Sequence, residues 1–85
     1  KALMKEITIS ESCPATGVKI VNLNFPKKAI IAMIERNGNY LTPNGLTEIK
    51  ANDTLVVLTD KPEILDKVYD SLSLKRVKKQ ETTSE

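Results

Sequence analysis

Asn37-Gly38 stands between two apolar stretches, residues 29–34 and Tyr40-Leu41. A two-residue hairpin turn needs positive φ at both central positions, and Asn-Gly adopts that geometry with little strain. The dipeptide therefore predicts two tightly joined antiparallel strands, and an antiparallel sheet built around them. The β-branched content of residues 29–34 marks the first strand as buried. The second strand soon reaches Pro43-Asn44-Gly45, a further turn.

The rest of the chain is punctuated in the same way. Residues 2–10 place Leu3, Ile7 and Ile9 on one side, interrupted by Lys5, and read as a strand ended by Cys13-Pro14. Thr16-Gly17-Val18 opens a short helix with Thr16 as its capping hydroxyl, and Pro26 closes it. Leu46 to Ile49 reads as a short strand, and Ala51-Asn52-Asp53 as a turn. Leu55-Val56-Val57-Leu58 has four apolar residues in a row, the pattern of a strand covered on both faces. Asp60-Lys61-Pro62-Glu63 has the form of a capping box. The helix that follows carries Leu65, Val68 and Leu72 on one face and Asp66, Lys67 and Asp70 on the other. The expected fold class is α+β: a small mixed or antiparallel β-sheet with a short helix and a C-terminal helix packed against it.

Composition narrows the chemistry. Of 85 residues, 24 are Leu, Ile, Val or Phe, enough for one small core. Histidine is absent, which removes the commonest general base and a common metal ligand together. Cys13 is the single cysteine, so no internal disulfide forms, and it reads as a small filler beside Pro14. The chain is expected to be no enzyme and to need no cofactor. The net charge of +2 belongs to the end of the sequence: residues 75–85 hold four basic and two acidic residues, while the first 74 are balanced. The division expected is a folded domain over 1–74 and a polar, disordered tail over 75–85. A balanced domain whose three aromatics lie outside basic runs gives no reason to expect nucleic-acid binding. No stretch approaches the roughly 20 apolar residues of a membrane span. A chain beginning at Lys1 instead of Met is expected to be part of something larger.

Few residues stand out as a site. Asn37-Gly38 and Asn44-Gly45 are turn chemistry, because neither forms a glycine-rich loop opening a helix. Asn52-Asp53 supplies too few oxygens for calcium, and Glu35-Arg36 reads as a solvated pair. Phe25-Pro26 lies just ahead of residues 29–34, and the hairpin returns Pro43 toward the start of that strand. Phe25, Pro26, Ile30, Ile31 and Pro43 thus share one neighbourhood, either as core or as an apolar groove for a ligand or a second copy.

The run from Gly17 to Glu63 resembles the C-terminal domain of regulators of potassium conductance, the TrkA-C domain. The matching order is Gly17 before a short helix ending in Leu23, then an apolar strand ending in Arg36-Asn37-Gly38. Pro43, Gly45, Thr47, Ile49 and Asp53 follow, then Leu55 and Val57, and a terminal helix. The resemblance covers about residues 3–72. It implies a cytosolic regulatory module that dimerises and is fused to a potassium channel, an uptake-gating subunit or a cation/proton antiporter. TISESCP and VLTDKPE look most like the domain of potassium/proton antiporters. A free-standing interaction module is the competing reading. Asn52 departs from the family, which commonly has a turn glycine there. Some members bind cyclic di-AMP across a dimer interface, at positions matching Phe25, Pro26, Ile30, Ile31 and Pro43. Binders carry an Arg where Pro26 stands and an Asn where Ile30 stands, which leaves Lys27 and Lys28 as the phosphate contacts here. The resemblance thus implies a dimerisation surface first and a nucleotide site second.

Overall fold

The computed structural model describes residues 2–74. In chain order its elements are β1 (Leu3–Thr8), a 3₁₀ turn (Ile20–Asn22), β2 (Ala29–Arg36), β3 (Asn39–Leu41), β4 (Thr54–Thr59) and α1 (Ile64–Ser71). The strands form one antiparallel sheet in the order β1-β4-β2-β3. The expected α+β class holds, with an all-antiparallel sheet and a C-terminal helix against it. The tail expected over 75–85 lies outside the described residues.

The hairpin forms as its sequence requires. Asn37 and Gly38 take φ of 54° and 81°, and Arg36 faces Asn39 in register. One face of the sheet is the core. Ile7, Leu55 and Ile34 share a row on it, beside rows holding Val57 and Ala29, and Val68 and Leu72 of α1 join the same buried cluster. Cys13 is buried there too, its thiol donating to the Leu72 carbonyl at 3.4 Å, as the filler reading anticipated.

A register shift between Ile31 and Met33 inserts one extra residue into β2 opposite β4. Side chains alternate along a strand, so one extra residue exchanges the two faces for everything after it. The shift turns Ile34 inward, where it is wholly buried. It also puts Arg36 on the inner side, two residues further on.

Five local expectations are corrected. The helix after Thr16 is a single 3₁₀ turn, because the N–H groups of Gly17, Ile20 and Val21 donate to the carbonyls of Ile49, Thr47 and Gly45 instead of within a helix. Thr16 does not cap it; its hydroxyl donates to the Ser10 carbonyl at 3.3 Å. Residues 46–49 are no strand and contribute one bridge, Lys19 with Glu48. The reason lies in Asn44 and Thr47. The Asn44 side-chain oxygen accepts from Leu46 N–H, the Thr47 hydroxyl accepts from Asn44 N–H, and a tight turn replaces the strand. β4 is buried on one side only. Leu55, Val57 and Thr59 are buried, whereas Thr54, Val56 and Leu58 are half-buried, since α1 covers a single face. Finally, α1 starts at Ile64 with Glu63 as N-cap and no side-chain cap, so Asp60 and Glu63 form no capping box. Residues 61–65 make i→i+3 bonds before the helix proper.

Candidate functional site

β3 is three residues long and pairs only with Ile34–Arg36. The first half of β2 therefore has no strand beside it on that side. Asn24, at φ 55°, turns the chain out of the 3₁₀ turn and directs Phe25 and Pro26 along this open margin. Beyond β3 the chain runs through Pro43, whose missing N–H forbids further pairing. The result is a groove of about 280 Å³ lined by Phe25, Pro26, Ala29, Ile30 and Ile31 on one side and by Ile20, Pro43, Asn44 and Gly45 on the other. The five residues singled out in the sequence, Phe25, Pro26, Ile30, Ile31 and Pro43, meet in this one place. Ile30 is 57% exposed within it. Lys27 and Lys28 are exposed on the adjoining turn and are not among the lining residues. The Lys28 carbonyl accepts the Thr59 hydroxyl at 2.8 Å, which pins that turn to the end of β4.

The groove continues onto the outer face of the sheet. Met4, Leu58 and Ile30 share a row there, followed by a row of Glu6, Val56 and Met33, with Tyr40 beyond them opposite Glu35. Met4, Glu6 and Tyr40 are exposed and the others, Ile30 apart, are half-buried. No element of the described residues covers this face. Among them, no helix is long and apolar enough to cross a membrane, and no cluster of three or more acidic or cysteine side chains could hold a metal.

The segment 42–50, which supplies Pro43, Asn44 and Gly45 to the groove, is fastened by a pair that the sequence reading missed. Arg36 is not a solvated partner of Glu35. Its Nε and Nη2 donate to the two oxygens of Asp53 at 2.8 and 2.7 Å, and Nη2 also donates to the Glu48 carbonyl at 2.9 Å. Asp53 is fully buried and accepts a third bond from Lys50 N–H at 2.9 Å. Burial pushes the Asp53 carboxyl up, but the Arg36 guanidinium and the Lys50 N–H outweigh it and hold it below the usual carboxylate range. The hydrogen bond to Asp53 raises Arg36 in turn. The available signal was the placing of Asp53 two residues before the apolar run Leu55-Val56-Val57-Leu58, where a carboxylate needs a cation or several N–H donors.

A second, larger hollow of about 710 Å³ runs between residues 14–24 and the end of α1, lined in part by Asn22, Asn24, Lys67, Asp70 and Ser73. Asn24 and Ser73 both have positive φ there. Lys67 and Asp70 were read only as the outward face of the helix, so the sequence held no sign of it.

The comparisons with known proteins agree with this fold. The family model of the TrkA-C domain matches residues 4–73. A Trk system potassium uptake protein TrkA homolog from Archaeoglobus fulgidus is 32% identical over 79 residues, and the chain spans 18% of that protein's length. A solved structure of an RCK domain with cda superposes with a TM-score of 0.67 at 26% identity, over 81% of this chain and 96% of that one. The RCK_C domain dimer of S. agalactiae BusR in complex with c-di-AMP superposes with a TM-score of 0.69 at 23% identity, over 85% and 91%, which speaks for the fold. With the family pattern matched from the first strand to the end of the last helix, the chain belongs to the TrkA-C domain family.

Proposed function

We propose that this domain is a dimer-forming regulatory module of a potassium or cation transport protein, lying on the cytoplasmic side of the membrane and performing no catalysis of its own. The observation that carries the reading is the apolar groove over Phe25, Pro26, Ile30, Ile31 and Pro43, continued through Ile30 by the apolar row of Leu58 and Met4 on the uncovered sheet face. A patch of this kind on a small domain is where a second copy or a ligand is seated. The similarity to a potassium uptake protein supports the transport context. The runs TISESCP and VLTDKPE favour a potassium/proton antiporter as the parent. Regulation then follows from binding: a ligand or a dimer geometry biases the transporter only by favouring one of its two states over the other.

Two occupants suit the groove. The solved relatives with c-di-AMP and with cda support a cyclic dinucleotide. Its apolar walls suit a purine ring, and a diphosphate would depend on Lys27 and Lys28 reaching in from the turn. That no charged side chain lines the groove favours the second occupant, the partner domain of a homodimer, over the nucleotide. Isothermal calorimetry with cyclic di-AMP decides between them. Heat saturating at one molecule per dimer supports the nucleotide, and a flat trace removes it while leaving the dimer surface. The parent reading frame is expected to contain apolar spans of about 20 residues, and their absence would count against the transport reading.

A further inference from the structure

Pro43, Asn44 and Gly45 line one wall of the groove and belong to a strap, residues 42–50, that is part of no strand. On one side this strap is joined by main-chain bonds to residues 17–21: Gly17, Ile20 and Val21 donate to the carbonyls of Ile49, Thr47 and Gly45 at 2.7, 3.0 and 2.9 Å, and Ile49 donates to the Val18 carbonyl at 3.0 Å. That partner is itself irregular and lies outside the sheet. On the other side Ile49 is buried in the core, the Thr42 hydroxyl donates to the Met33 sulfur at 3.8 Å, and Arg36 supplies the charged tie: its Nη2 reaches the Glu48 carbonyl while the guanidinium forks on Asp53. A single side chain from the end of β2 therefore holds both the turn leading into β4 and the strap. Lys50 N–H closes the same knot from the strap's far end.

We propose that Arg36 is a positioning residue for the groove. Its fork on Asp53 aims one N–H group at the Glu48 carbonyl, and this fixes Pro43 and Asn44 at their distance from Ile30 and Ile31. The proposal rests on the reading of the groove as a binding surface. A guanidinium holds two acceptors in one plane, whereas an ammonium is a point donor with no fixed fork. Without the fork, the strap keeps its main-chain ladder to residues 17–21, the buried side chain of Ile49 and the Thr42–Met33 contact, and loses its one charge-assisted tie to the sheet. Such segments open locally while the sheet stays closed.

The test is amide hydrogen exchange on the whole 85-residue chain, for the native sequence, Arg36→Lys, and the double variant Arg36→Gln with Asp53→Asn. The double variant leaves no lone buried carboxylate, so it folds where Arg36→Gln alone would fail to. Amides of Ile20, Val21 and Thr47 are expected to exchange at least about tenfold faster in both variants, the ratio that losing one charge-assisted hydrogen bond produces. Amides shared by β1 and β4 keep their native protection. Equal acceleration throughout the sheet would overturn the proposal, because the pair would then support the fold at large. Native protection of the strap in Arg36→Lys would overturn it too, since the fork would be unnecessary. Cyclic di-AMP titrations run alongside, and affinity falling about tenfold in the variants supports the proposal. A flat titration of the native chain would sink the nucleotide reading alone, leaving the exchange pattern to decide this one.

Discussion

Asp53 has no exposed surface, and three N–H groups reach its two oxygens. Those bonds hold its folded pKa below the unfolded value of about 3.9. The stabilisation it supplies is therefore complete above about pH 4 and is lost as pH falls through the folded pKa. Removing one partner of a buried pair costs roughly 3–5 kcal/mol, and the partial exposure of Arg36 puts this pair at the low end. Asp53→Asn is expected to melt well below the native chain at pH 7, with the gap narrowing below about pH 4. Circular dichroism melts between pH 2.5 and 7 check this, and a gap independent of pH would refute it. Single side chains were unevenly legible. Cys13 as a core filler follows from its having no partner thiol or histidine. The Arg36–Asp53 pair does not, because its residues are 17 apart and meet only once β2 and the 50–53 turn are brought together.

At the level of elements, turn chemistry decided most of what was readable. Asn37, Gly38 and Asn52 all occupy positive φ, as their residue types suggested, and Asn52 takes φ 71° where the family commonly has glycine. Gly38→Ala meets no neighbouring atom, so its expected cost of about 1–2 kcal/mol is backbone strain alone. Urea denaturation measures it, and an unchanged midpoint would mean that the hairpin shifts to another turn. The 46–49 segment was the least legible. Its apolar residues suggested a strand, but Thr47 and Asn44 bind each other's backbone first. The mistaken cap at Asp60 has a similar origin, since residues 61–65 form their own tight turn ahead of the helix. Local side-chain bonds of this kind compete with ladders and caps, and the winner depends on what lies alongside.

For the molecule as a whole, the decisive feature is a sheet with one covered face. α1 and the segments before β2 enclose the inner side, while Met4, Ile30 and Tyr40 remain on the outer side. Ile30→Asp leaves the core untouched, because that side chain already meets solvent. It is expected to turn a concentration-dependent dimer into a monomer in sedimentation equilibrium, with an unchanged circular dichroism spectrum. A dimer persisting in this variant would remove the groove from the interface. The sequence alone determined that the chain folds around an antiparallel hairpin, that it has no histidine and a single cysteine, and that Phe25, Pro26, Ile30, Ile31 and Pro43 draw together. Those conclusions rest on turn geometry and residue chemistry, which are local. Tertiary structure alone decided which face each side chain takes after Ile31, and hence that Arg36 reaches Asp53 and fastens the strap. An unbroken apolar run conceals the extra residue of a bulge, and a period of two turns that one hidden residue into an exchange of inside for outside.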